Sequence, residues 1–337
     1  MKRIEIEHNK ELKPLNTFGI AARASGFVAF RDRGDLAAIF ADPSWSGKSW
    51  YVMSGGSNIL LTGDYDGLIL HPVARAIEEV ERDGEAVTLR VQAGLAWDEL
   101  VAYCVTNGYG GLENLSGIPG FVGAAPVQNI GAYGAEVKDT IAEVEAYRFD
   151  TGVVQSFTNA ECRFGYRDSV FKHEERGSVI LSVTFRLPLR PHFSIGYGDL
   201  SREVEALGGA SLSAIRQAVL SIRAAKLPDP KVLGNSGSFF KNPVVSEQEA
   251  EALRCNYPDM PVYLVPTGVK LAAGWLIDRA GLKGYRQGRV GVHEKQALVL
   301  VNYGGATGGE VLALADHVIV AVRERFGVSL VPEVNVL

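Results

Sequence analysis

Residues 112–134, LENLSGIPGFVGAAPVQNIGAYG, restrict the fold of this chain more than any other stretch. The segment contains five glycines and two prolines among small apolar residues, and it carries no basic side chain. Its spacing fits neither the period of a helix nor that of a strand. Glycine permits positive φ and a close approach of the backbone to a ligand. We therefore expect a long loop that presents backbone N–H groups rather than side chains.

A second glycine loop, MSGGSNILL, occupies residues 53–61, where a predicted strand runs into Gly-Gly-Ser-Asn. Converging backbone N–H groups bind anions, so we expect phosphate to be the ligand of such loops. Neither loop matches the G-x-G-x-x-G fingerprint of dinucleotide-binding folds. Two loops of this kind predict a long ligand whose pyrophosphate is held by backbone, as in FAD. The residues leave one alternative open, which is a pair of tight turns in a β-rich domain.

The secondary-structure patterns divide the chain into two parts. Strand patterns dominate the first part and cover residues 26–30, 50–54, 67–72, 86–94, 143–149 and 178–187, with helical patterns at 33–43 and 96–109. After the proline-containing RLPLRPHF, helical patterns cover residues 211–230, 246–258, 271–281 and 308–327, with β runs at 296–302 and 331–337. We predict an α+β protein with a β-rich region over residues 1–195 and a smaller α+β domain over residues 196–337.

Composition narrows the functional class. The net charge of −5 gives no electrostatic footprint for nucleic acid, and the six histidines show no metal-ligand spacing. The start, MKRIEIEHNKELK, lacks the apolar core of a signal peptide, and charges interrupt the apolar run at 311–326 at helical spacing. The cysteines are few and widely spaced, which favours a reducing compartment: Cys104, Cys162 and Cys255. We expect a cytoplasmic protein that binds no metal, nucleic acid or membrane.

Seven motifs occur in order along the chain and carry a family resemblance. They are NTFGIAARA (16–24), SGGSNILL (54–61), ENLSGIPGFVGAAPVQNIGAYG (113–134), GYRDSVFK (165–172), KLPDPKVLGNSGSFFKNP (226–243), GWLIDRAGLKG (274–284) and PEV (332–334). Together they resemble the UDP-N-acetylenolpyruvoylglucosamine reductase family over essentially the whole chain. The resemblance implies an FAD-binding domain of the vanillyl-alcohol-oxidase type, made of two α/β subdomains, followed by a C-terminal substrate domain.

The resemblance also implies an activity. Members of this family use NADPH and non-covalently bound FAD to reduce the enolpyruvyl group of UDP-N-acetylglucosamine enolpyruvate. The product, UDP-N-acetylmuramate, serves bacterial peptidoglycan synthesis and, through it, cell shape and division. The flavin carries a hydride from NADPH to the substrate, so the protein supplies placement and charge control. A monomeric protein is expected.

By the same resemblance, Arg167, Ser238 and Glu333 are the catalytic residues. The rigid charged fork of Arg167 suits a substrate carboxylate that gains negative charge after hydride addition. Ser238 would then protonate the enolate-like intermediate, and Glu333 would act with Arg167 about the carboxylate. Two alternatives stay open: Ser236 is a rival to Ser238, and Arg167 could simply pair with Asp168.

The binding residues implied by the resemblance fall into two groups. Those expected to contact FAD are Ser54, Gly55, Gly56, Ser57, Asn58, Gly117, Ile118, Pro119, Gly123, Ala124, Gln128, Asn129, Gly131 and Ala132. Those expected to contact the substrate are Tyr166, Tyr197, Lys226 and Asn242. Tyr197 resembles the mobile-loop tyrosine of one of the two subtypes of the family. Asn335 stands where we expect an arginine in many relatives, which leaves a second substrate contact from that strand open.

Other functions could share some of these residues. A flavin oxidase or dehydrogenase of alcohols or lactones could share the N-terminal region, but GNSGSFFKNP and the late PEV argue against it. A flavin-binding protein without reductase activity would be expected to have lost part of the catalytic set. The presence of Arg167, Ser238 and Glu333 argues against that rival.

Overall fold

The structure is a computed structural model that describes residues 4–337, so the first three residues of MKRIEIEHNKELK lie outside the described part. The α-helices are α1 (Arg33–Phe40), α2 (Trp97–Thr106), α3 (Leu200–Ala206), α4 (Leu212–Lys226), α5 (Glu247–Asn256), α6 (Ala273–Arg279) and α7 (Gly308–Phe326). All six helices predicted from the sequence are present, and each predicted start lies within two residues of the observed one.

The strands are short and numerous. In chain order they are β1 (Glu7–Glu11), β2 (Arg23–Phe30), β3 (Ser49–Val52), β4 (Ile59–Leu60), β5 (Tyr65–Pro72), β6 (Ile77–Arg82), β7 (Ala86–Gln92), β8 (Gly131–Ala132), β9 (Ala135–Glu136), β10 (Ile141–Arg148), β11 (Val153–Thr158), β12 (Ser178–Pro188), β13 (Gly234–Ser238), β14 (Val244–Val245), β15 (Val262–Val265), β16 (Gly268–Leu271), β17 (Arg286–Gln287), β18 (Val290–Val292), β19 (Val299–Asn302) and β20 (Asn335–Val336).

Backbone contacts divide the chain into two compact units. The first unit takes in Ala24–Gly55 and Asp66–Ala225, together with the N-terminal residues through Lys10. It contains two sheets, with strand orders β1-β2-β5-β3 and β11-β10-β12-β7-β6. Each sheet has its own apolar core, one including α1 and the other including α2. The two sheets fit the two subdomains expected for the FAD-binding region.

β12 is buried more completely than its sequence pattern predicts. The alternation in ILSVTFRL predicts a strand with one buried face. In the structure Val179 and Leu181 belong to the core of the first sheet, whereas Val183 and Phe185 belong to the core of the second. The strand therefore has apolar neighbours on both faces, and the prediction of a half-buried strand is wrong for β12.

The second unit comprises Glu11–Arg23, Gly56–Tyr65 and Lys226–Leu337. Its sheets have the orders β13-β19-β18-β17 and β14-β16-β15, and β20 pairs in parallel with β4. The long helix α7 begins at a capping box formed by Thr307 and Glu310 and ends at Gly327, whose φ is 70°. Among residues 4–337 the structure has no helix with the length and apolarity needed to cross a bilayer.

The division by contacts runs differently from the predicted domains. The first unit continues through α3 and α4 to Ala225, whereas the sequence predicts the boundary at residue 195. Because the division follows backbone contacts rather than ligand binding, the functional boundary between residues 1–195 and 196–337 stays a prediction.

Candidate active site

The two glycine loops meet within the first unit. A β-carbon built on Gly55 would lie 3.2 Å from the Cα of Gly120, which is closer than nine in ten real contacts of this kind. Gly120 itself has a φ of 113°, a region that side chains rarely allow. A side chain at Gly55 would therefore push the loops apart. The two loops therefore lie side by side, and their service of one ligand stays a prediction.

Both loops contain backbone N–H groups that make no hydrogen bond within the described residues. Within residues 4–337, no hydrogen bond uses the backbone N–H groups of Gly55, Ile118 and Gly120. Unused donors at a glycine-rich turn are suited to an anionic ligand. Pro119 is exposed. Four further predicted cofactor residues in the same loops are partly buried: Ser54, Ala124, Gln128 and Ala132.

Some of the glycines are required by packing inside the protein. A β-carbon on Gly123 would lie 2.6 Å from the β-carbon of Ala93, and one on Gly56, in the second unit, would lie 1.9 Å from the carbonyl oxygen of Leu15. These two positions have no room for a side chain even without a ligand. Their roles in cofactor binding stay predictions, and any contact with the cofactor would be made by their backbone atoms.

Asp98 holds the start of the long loop, although the sequence analysis did not select it. Its Oδ1 accepts a hydrogen bond of 2.6 Å from the N–H of Gly117, whose φ is 69°. The same carboxylate receives two hydrogen bonds from Arg216 of α4, at 2.6 and 2.8 Å. Burial acts to raise the pKa of Asp98, but the Arg216 and Gly117 donors outweigh it and keep that pKa below its ordinary value.

Asn129 is buried and fixes the shape of the loop. Its Nδ2 donates to the Glu136 carboxylate at 3.0 Å and to the carbonyl of Gly165 at 2.9 Å. Its Oδ1 accepts from the N–H of Lys138 at 3.1 Å. Because these protein partners occupy the amide group, a contact of Asn129 with a cofactor would come from its backbone.

Arg167 lies on a tight turn beside this loop. Its Nη2 donates to the carbonyl of Gly131 at 2.6 Å, and its Nη1 donates to the carbonyl of Asn129 at 3.4 Å. The guanidinium carbon lies 5.5 Å from the ring centroid of Tyr166. The φ of Arg167 is 54°, a conformation that costs a non-glycine residue about 1–3 kcal/mol and is concentrated at functional sites. The structure thus brings together Arg167, Tyr166 and two predicted cofactor residues.

Asp168 has a partner of its own. Its two carboxylate oxygens lie 2.8 and 3.0 Å from Nε2 of His173. On the next residue, the Ser169 hydroxyl donates to the carbonyl of Val127 at 2.7 Å and ties the turn to the glycine loop. Hydrogen bonds from Arg167 and Ser169 therefore join this turn to the glycine loop.

Tyr197 projects from the segment before α3 and is 49% exposed. Its ring meets that of Tyr133 edge-on, with centroids 6.2 Å apart. The buried Asn114 donates to the carbonyls of Tyr133 and Ser194 at 2.8 and 2.7 Å, so it links the glycine loop to the segment that carries Tyr197. Asn114 is a positioning residue that the sequence analysis missed.

In the second unit, Ser238 and Ser236 differ sharply in environment. Ser238 is exposed at the end of β13, paired with Val299 of β19. The ladder is irregular between Asn235 and Ser238, and Gly237 between the two serines has a φ of 72°. Ser236 is 7% exposed, and its hydroxyl oxygen finds no hydrogen-bond partner within the described part of the chain. Of the two rivals, only Ser238 is accessible to a ligand.

Glu333 lies on the strand-like segment next to Ser238. The N–H of Glu333 donates to the carbonyl of Phe239 at 2.8 Å, and the N–H of Lys241 donates to the carbonyl of Val331 at 2.9 Å. This pairing places Glu333 opposite the residue that follows Ser238. The structure therefore brings two of the three predicted catalytic residues onto neighbouring segments of one unit, while Arg167 belongs to the other unit.

The same segment is joined to Asn58. The Asn58 side chain donates to the carbonyl of Glu333 at 3.3 Å, and the Asn335 side chain donates to the carbonyl of Asn58 at 3.0 Å. Asn335, where an arginine was expected, thus holds the loop that also contains the partly buried Ser57.

The remaining predicted substrate residues lie in the second unit. Oδ1 of Asn242 accepts a hydrogen bond of 3.0 Å from the N–H of Ala273, the first residue of α6. This bond fixes the orientation of the amide. Lys226 is exposed at the end of α4. Of residues 4–337, no group of three or more His, Cys, Asp or Glu side chains has a geometry that could hold a metal ion.

Comparisons with known proteins agree with this organisation. Residues 24–158 match the sequence model of an FAD binding domain, and residues 229–337 match that of the UDP-N-acetylenolpyruvoylglucosamine reductase C-terminal domain. The chain is 49% identical to the UDP-N-acetylenolpyruvoylglucosamine reductase of Chromobacterium violaceum over 99% of both chains. It is 48% identical to that of Neisseria gonorrhoeae over 98% of this chain and 97% of the relative.

A solved structure extends the comparison to the fold. The crystal structure of UDP-N-acetylenolpyruvylglucosamine reductase from Thermus caldophilus superposes with a TM-score of 0.70 and 24% sequence identity, covering 100% of this chain and 99% of that one. The expected α+β fold class, with an FAD-binding region and a separate C-terminal domain, is confirmed.

Proposed function

The chain belongs to the UDP-N-acetylenolpyruvoylglucosamine reductase family, and we propose that it catalyses the reaction for which the family is named. The substrate is UDP-N-acetylglucosamine enolpyruvate, the reductant is NADPH, and the product is UDP-N-acetylmuramate. The observation that carries this proposal is the 49% identity to a named reductase over 99% of both chains. The proposed reaction is a step of peptidoglycan synthesis. We also propose that the protein is a cytoplasmic monomer.

The residues present suit FAD. The contact of Gly55 with Gly120 leaves two turns of bare backbone side by side, and unused N–H groups in both turns can receive a pyrophosphate. Neither loop carries a lysine or arginine side chain that would compete for the same space. When bound, FAD would supply the hydride chemistry, taking two electrons from NADPH and passing them to the enolpyruvyl double bond.

Arg167 would stabilise the negative charge that develops on the carboxylate of the substrate. Two backbone carbonyls, those of Asn129 and Gly131, already hold its guanidinium in place. A preorganised cation of this kind lowers a barrier because it needs no reorganisation when the charge forms. The turn keeps Arg167 at a positive φ although this backbone conformation is energetically unfavourable.

Ser238 would deliver the proton to the carbon next to the carboxylate. Ser238 is exposed at the end of β13, so its hydroxyl is available to a ligand. The hydrogen bond between the Glu333 N–H and the Phe239 carbonyl keeps Ser238 and Glu333 on neighbouring segments. Glu333 would then act with Arg167 about the carboxylate. Tyr166, Tyr197, Lys226 and Asn242 would bind the UDP-sugar, with the Asn242 amide oriented by its bond to Ala273.

An anaerobic two-step experiment tests the proposal. Purified protein is reduced with NADPH, freed of excess nucleotide and mixed with UDP-N-acetylglucosamine enolpyruvate while the flavin absorbance is followed. Bleaching by NADPH and rapid return of the oxidised spectrum on addition of the enolpyruvyl sugar are expected. Bleaching without reoxidation would contradict the substrate, and protein that holds no flavin even after addition of FAD would contradict the entire proposal.

Two variants separate the roles. Ser238→Ala should still be reduced by NADPH at the parent rate, yet should lose at least about two orders of magnitude in reoxidation by the substrate. Arg167→Ala should retain FAD and lose turnover. Parent-rate reoxidation in Ser238→Ala would contradict the assignment of the proton donor. Loss of FAD from Arg167→Ala on purification would make Arg167 a cofactor residue instead.

A further inference from the structure

Arg167 occupies a backbone position that ordinarily favours another residue type. Tyr166 and Arg167 are the two central residues of a tight turn, because Gly165 and Asp168 exchange backbone hydrogen bonds of 3.0 and 3.3 Å. The φ of Arg167 is 54°, whereas that of Tyr166 is not positive. A positive φ at the second central position of a turn favours glycine or asparagine. The turn therefore places an arginine side chain here although the backbone conformation is unfavourable for it.

A conformation of this kind persists only where the surrounding structure holds it. Before the turn, Nδ2 of Asn129 donates to the carbonyl of Gly165 at 2.9 Å. After the turn, the hydroxyl of Ser169 donates to the carbonyl of Val127 at 2.7 Å. Neither bond involves an atom of Arg167, so these two contacts hold the ends of the turn and leave its strained residue to another group.

The ammonium group of Lys172 makes the contact with the strained residue. Its Nζ donates a hydrogen bond of 3.0 Å to the backbone carbonyl of Arg167. A hydrogen bond from a charged donor is about twice as strong as one between neutral groups. The bond is also partly buried, which strengthens it electrostatically relative to a bond in water. Lys172 thus acts on the peptide group of the residue that has the positive φ.

Lys172 is itself fixed by the core of the first unit. It is the last residue of a short 3₁₀ helix, Val170–Lys172, whose first two residues are each 5% exposed and belong to the core of the second sheet. The Ser169 side chain caps this helix by accepting a hydrogen bond of 3.3 Å from the N–H of Phe171. The ammonium group therefore reaches back to the turn from an anchored segment.

The side chain of Arg167 shows what this contact controls. Nη2 donates to the carbonyl of Gly131 at 2.6 Å, and Nη1 donates to the carbonyl of Asn129 at 3.4 Å. The direction of a Cα–Cβ bond changes with the φ of its residue. Relaxation of Arg167 to a negative φ would therefore withdraw the guanidinium from both carbonyls.

We propose that Lys172 is a positioning residue for Arg167, and that it holds the Arg167 carbonyl so that the guanidinium stays where it can stabilise the substrate carboxylate. The inference rests on the proposed function, in which Arg167 stabilises the charge that develops on that carboxylate. It assigns Lys172 no contact with substrate or FAD. Loss of Lys172 should therefore slow reduction of the enolpyruvyl sugar and leave reduction of the flavin by NADPH unchanged.

The test measures the two half-reactions separately. FAD-loaded proteins are reduced anaerobically with NADPH, freed of nucleotide and mixed with saturating UDP-N-acetylglucosamine enolpyruvate. The FAD dissociation constant and the Tm are measured for each protein. The proteins are wild type, Lys172→Met, Lys172→Arg, Arg167→Ala and the double variant Arg167→Ala/Lys172→Met. Lys283→Met is the matched control, because it also removes a lysine hydrogen bond, that of 3.1 Å from Nζ to Asp278.

In Lys172→Met we expect reoxidation by saturating substrate to slow about tenfold or more, because a misplacement of about 1 Å can cost a hundredfold in rate. Flavin reduction by NADPH and the FAD dissociation constant should stay within about threefold of wild type. Lys172→Arg should recover part of the loss, because it keeps a charged N–H donor. Lys283→Met should match wild type in every readout.

The double variant distinguishes positioning from direct contact. A residue that acts through Arg167 has no further effect once the guanidinium is gone, so Lys172→Met should slow reoxidation by no more than about twofold in the Arg167→Ala background. A further loss of about tenfold in that background would assign Lys172 to the substrate itself and overturn the inference.

Other outcomes would also overturn it. Reoxidation of Lys172→Met at the parent rate, even with a lowered Tm, would leave Lys172 with a purely structural role. FAD binding weakened about tenfold or more would assign it to the cofactor. If Lys172→Met does not fold, Lys172→Gln replaces it with the same expected losses, because its amide nitrogen ends one bond short of the lysine nitrogen. Wild-type protein that the enolpyruvyl sugar does not reoxidise would refute the proposed function as well, whereas active wild type with an indifferent Lys172 would refute this inference alone.

Discussion

Replacing Ser236 by alanine should stabilise the protein. The hydroxyl of Ser236 is buried and has no hydrogen-bond partner within residues 4–337. An unsatisfied buried hydroxyl costs about 1–3 kcal/mol. Alanine removes only the oxygen, and the small space it leaves returns a few tenths of a kcal/mol. We expect the free energy of unfolding of Ser236→Ala to rise by about 1–2 kcal/mol.

The assay is urea unfolding of the second unit followed by the fluorescence of Trp275, which lies in that unit on α6. Protein free of FAD and protein saturated with FAD are both measured, because a ligand raises apparent stability by mass action. In thermal unfolding, Tm should rise by about 2–4 °C for each kcal/mol gained in the free energy of unfolding. Ser238→Ala is the control, and as an exposed substitution it should change stability by about 0.5 kcal/mol or less.

Activity separates the two serines further. Ser236→Ala should reoxidise with the enolpyruvyl sugar at the parent rate, whereas Ser238→Ala should not. A loss of stability in Ser236→Ala would mean that the hydroxyl has a partner, such as a bound water. Slow reoxidation in Ser236→Ala would refute the reasoning that assigns the proton to Ser238.

Three further predictions follow from the geometry. Gly55→Ala should weaken FAD binding about tenfold, about 1.4 kcal/mol, because its new β-carbon would press on Gly120; Gly63→Ala, in open space, should leave the flavin content unchanged. A thiol reagent should modify the exposed Cys255 in the native protein and the two other cysteines only on unfolding, since burial raises their pKa to about 12. Because the folded state lowers the pKa of Asp98, its stabilising effect should be complete well above pH 4 and should fade as the pH falls below the ordinary carboxyl range. Thermal unfolding from pH 3 to 7 should show this pH dependence in wild type and a weaker one in Asp98→Asn.

Much of the secondary structure could be predicted from local patterns. Strands with apolar alternation, such as β7 and β10, were located within two or three residues. β6 was missed because IEEVER has one partly buried residue followed by five exposed ones. An edge strand of this composition is held by its ladder with β7, a contact that local periodicity does not encode. The burial of β12 on two faces has the same origin, because it depends on a second core supplied by other segments.

The candidate site divides along the same line. The glycine loops and the motifs around Arg167 and Ser238 were recognisable in the sequence because they are long and local. Asp98 and Arg216 were not, since charges on helices ordinarily indicate a solvated face. Their roles arise only when α4 packs on the long loop and brings Arg216 to the carboxylate that holds Gly117.

The parallel pairing of β20 with β4 has a consequence for the order in which the chain can fold. Asn58 exchanges hydrogen bonds with Glu333 and Asn335, partners separated by 275 and 277 residues in the sequence. During synthesis these contacts become available only after Asn335 has been made, and closing so long a loop carries an entropic cost that local helices avoid. The strand pairs of the first unit need no residue beyond 188. The turn that contains Ser57 and Asn58 can therefore be completed only after Asn335 has been synthesised, which is later than the strand pairs of the first unit.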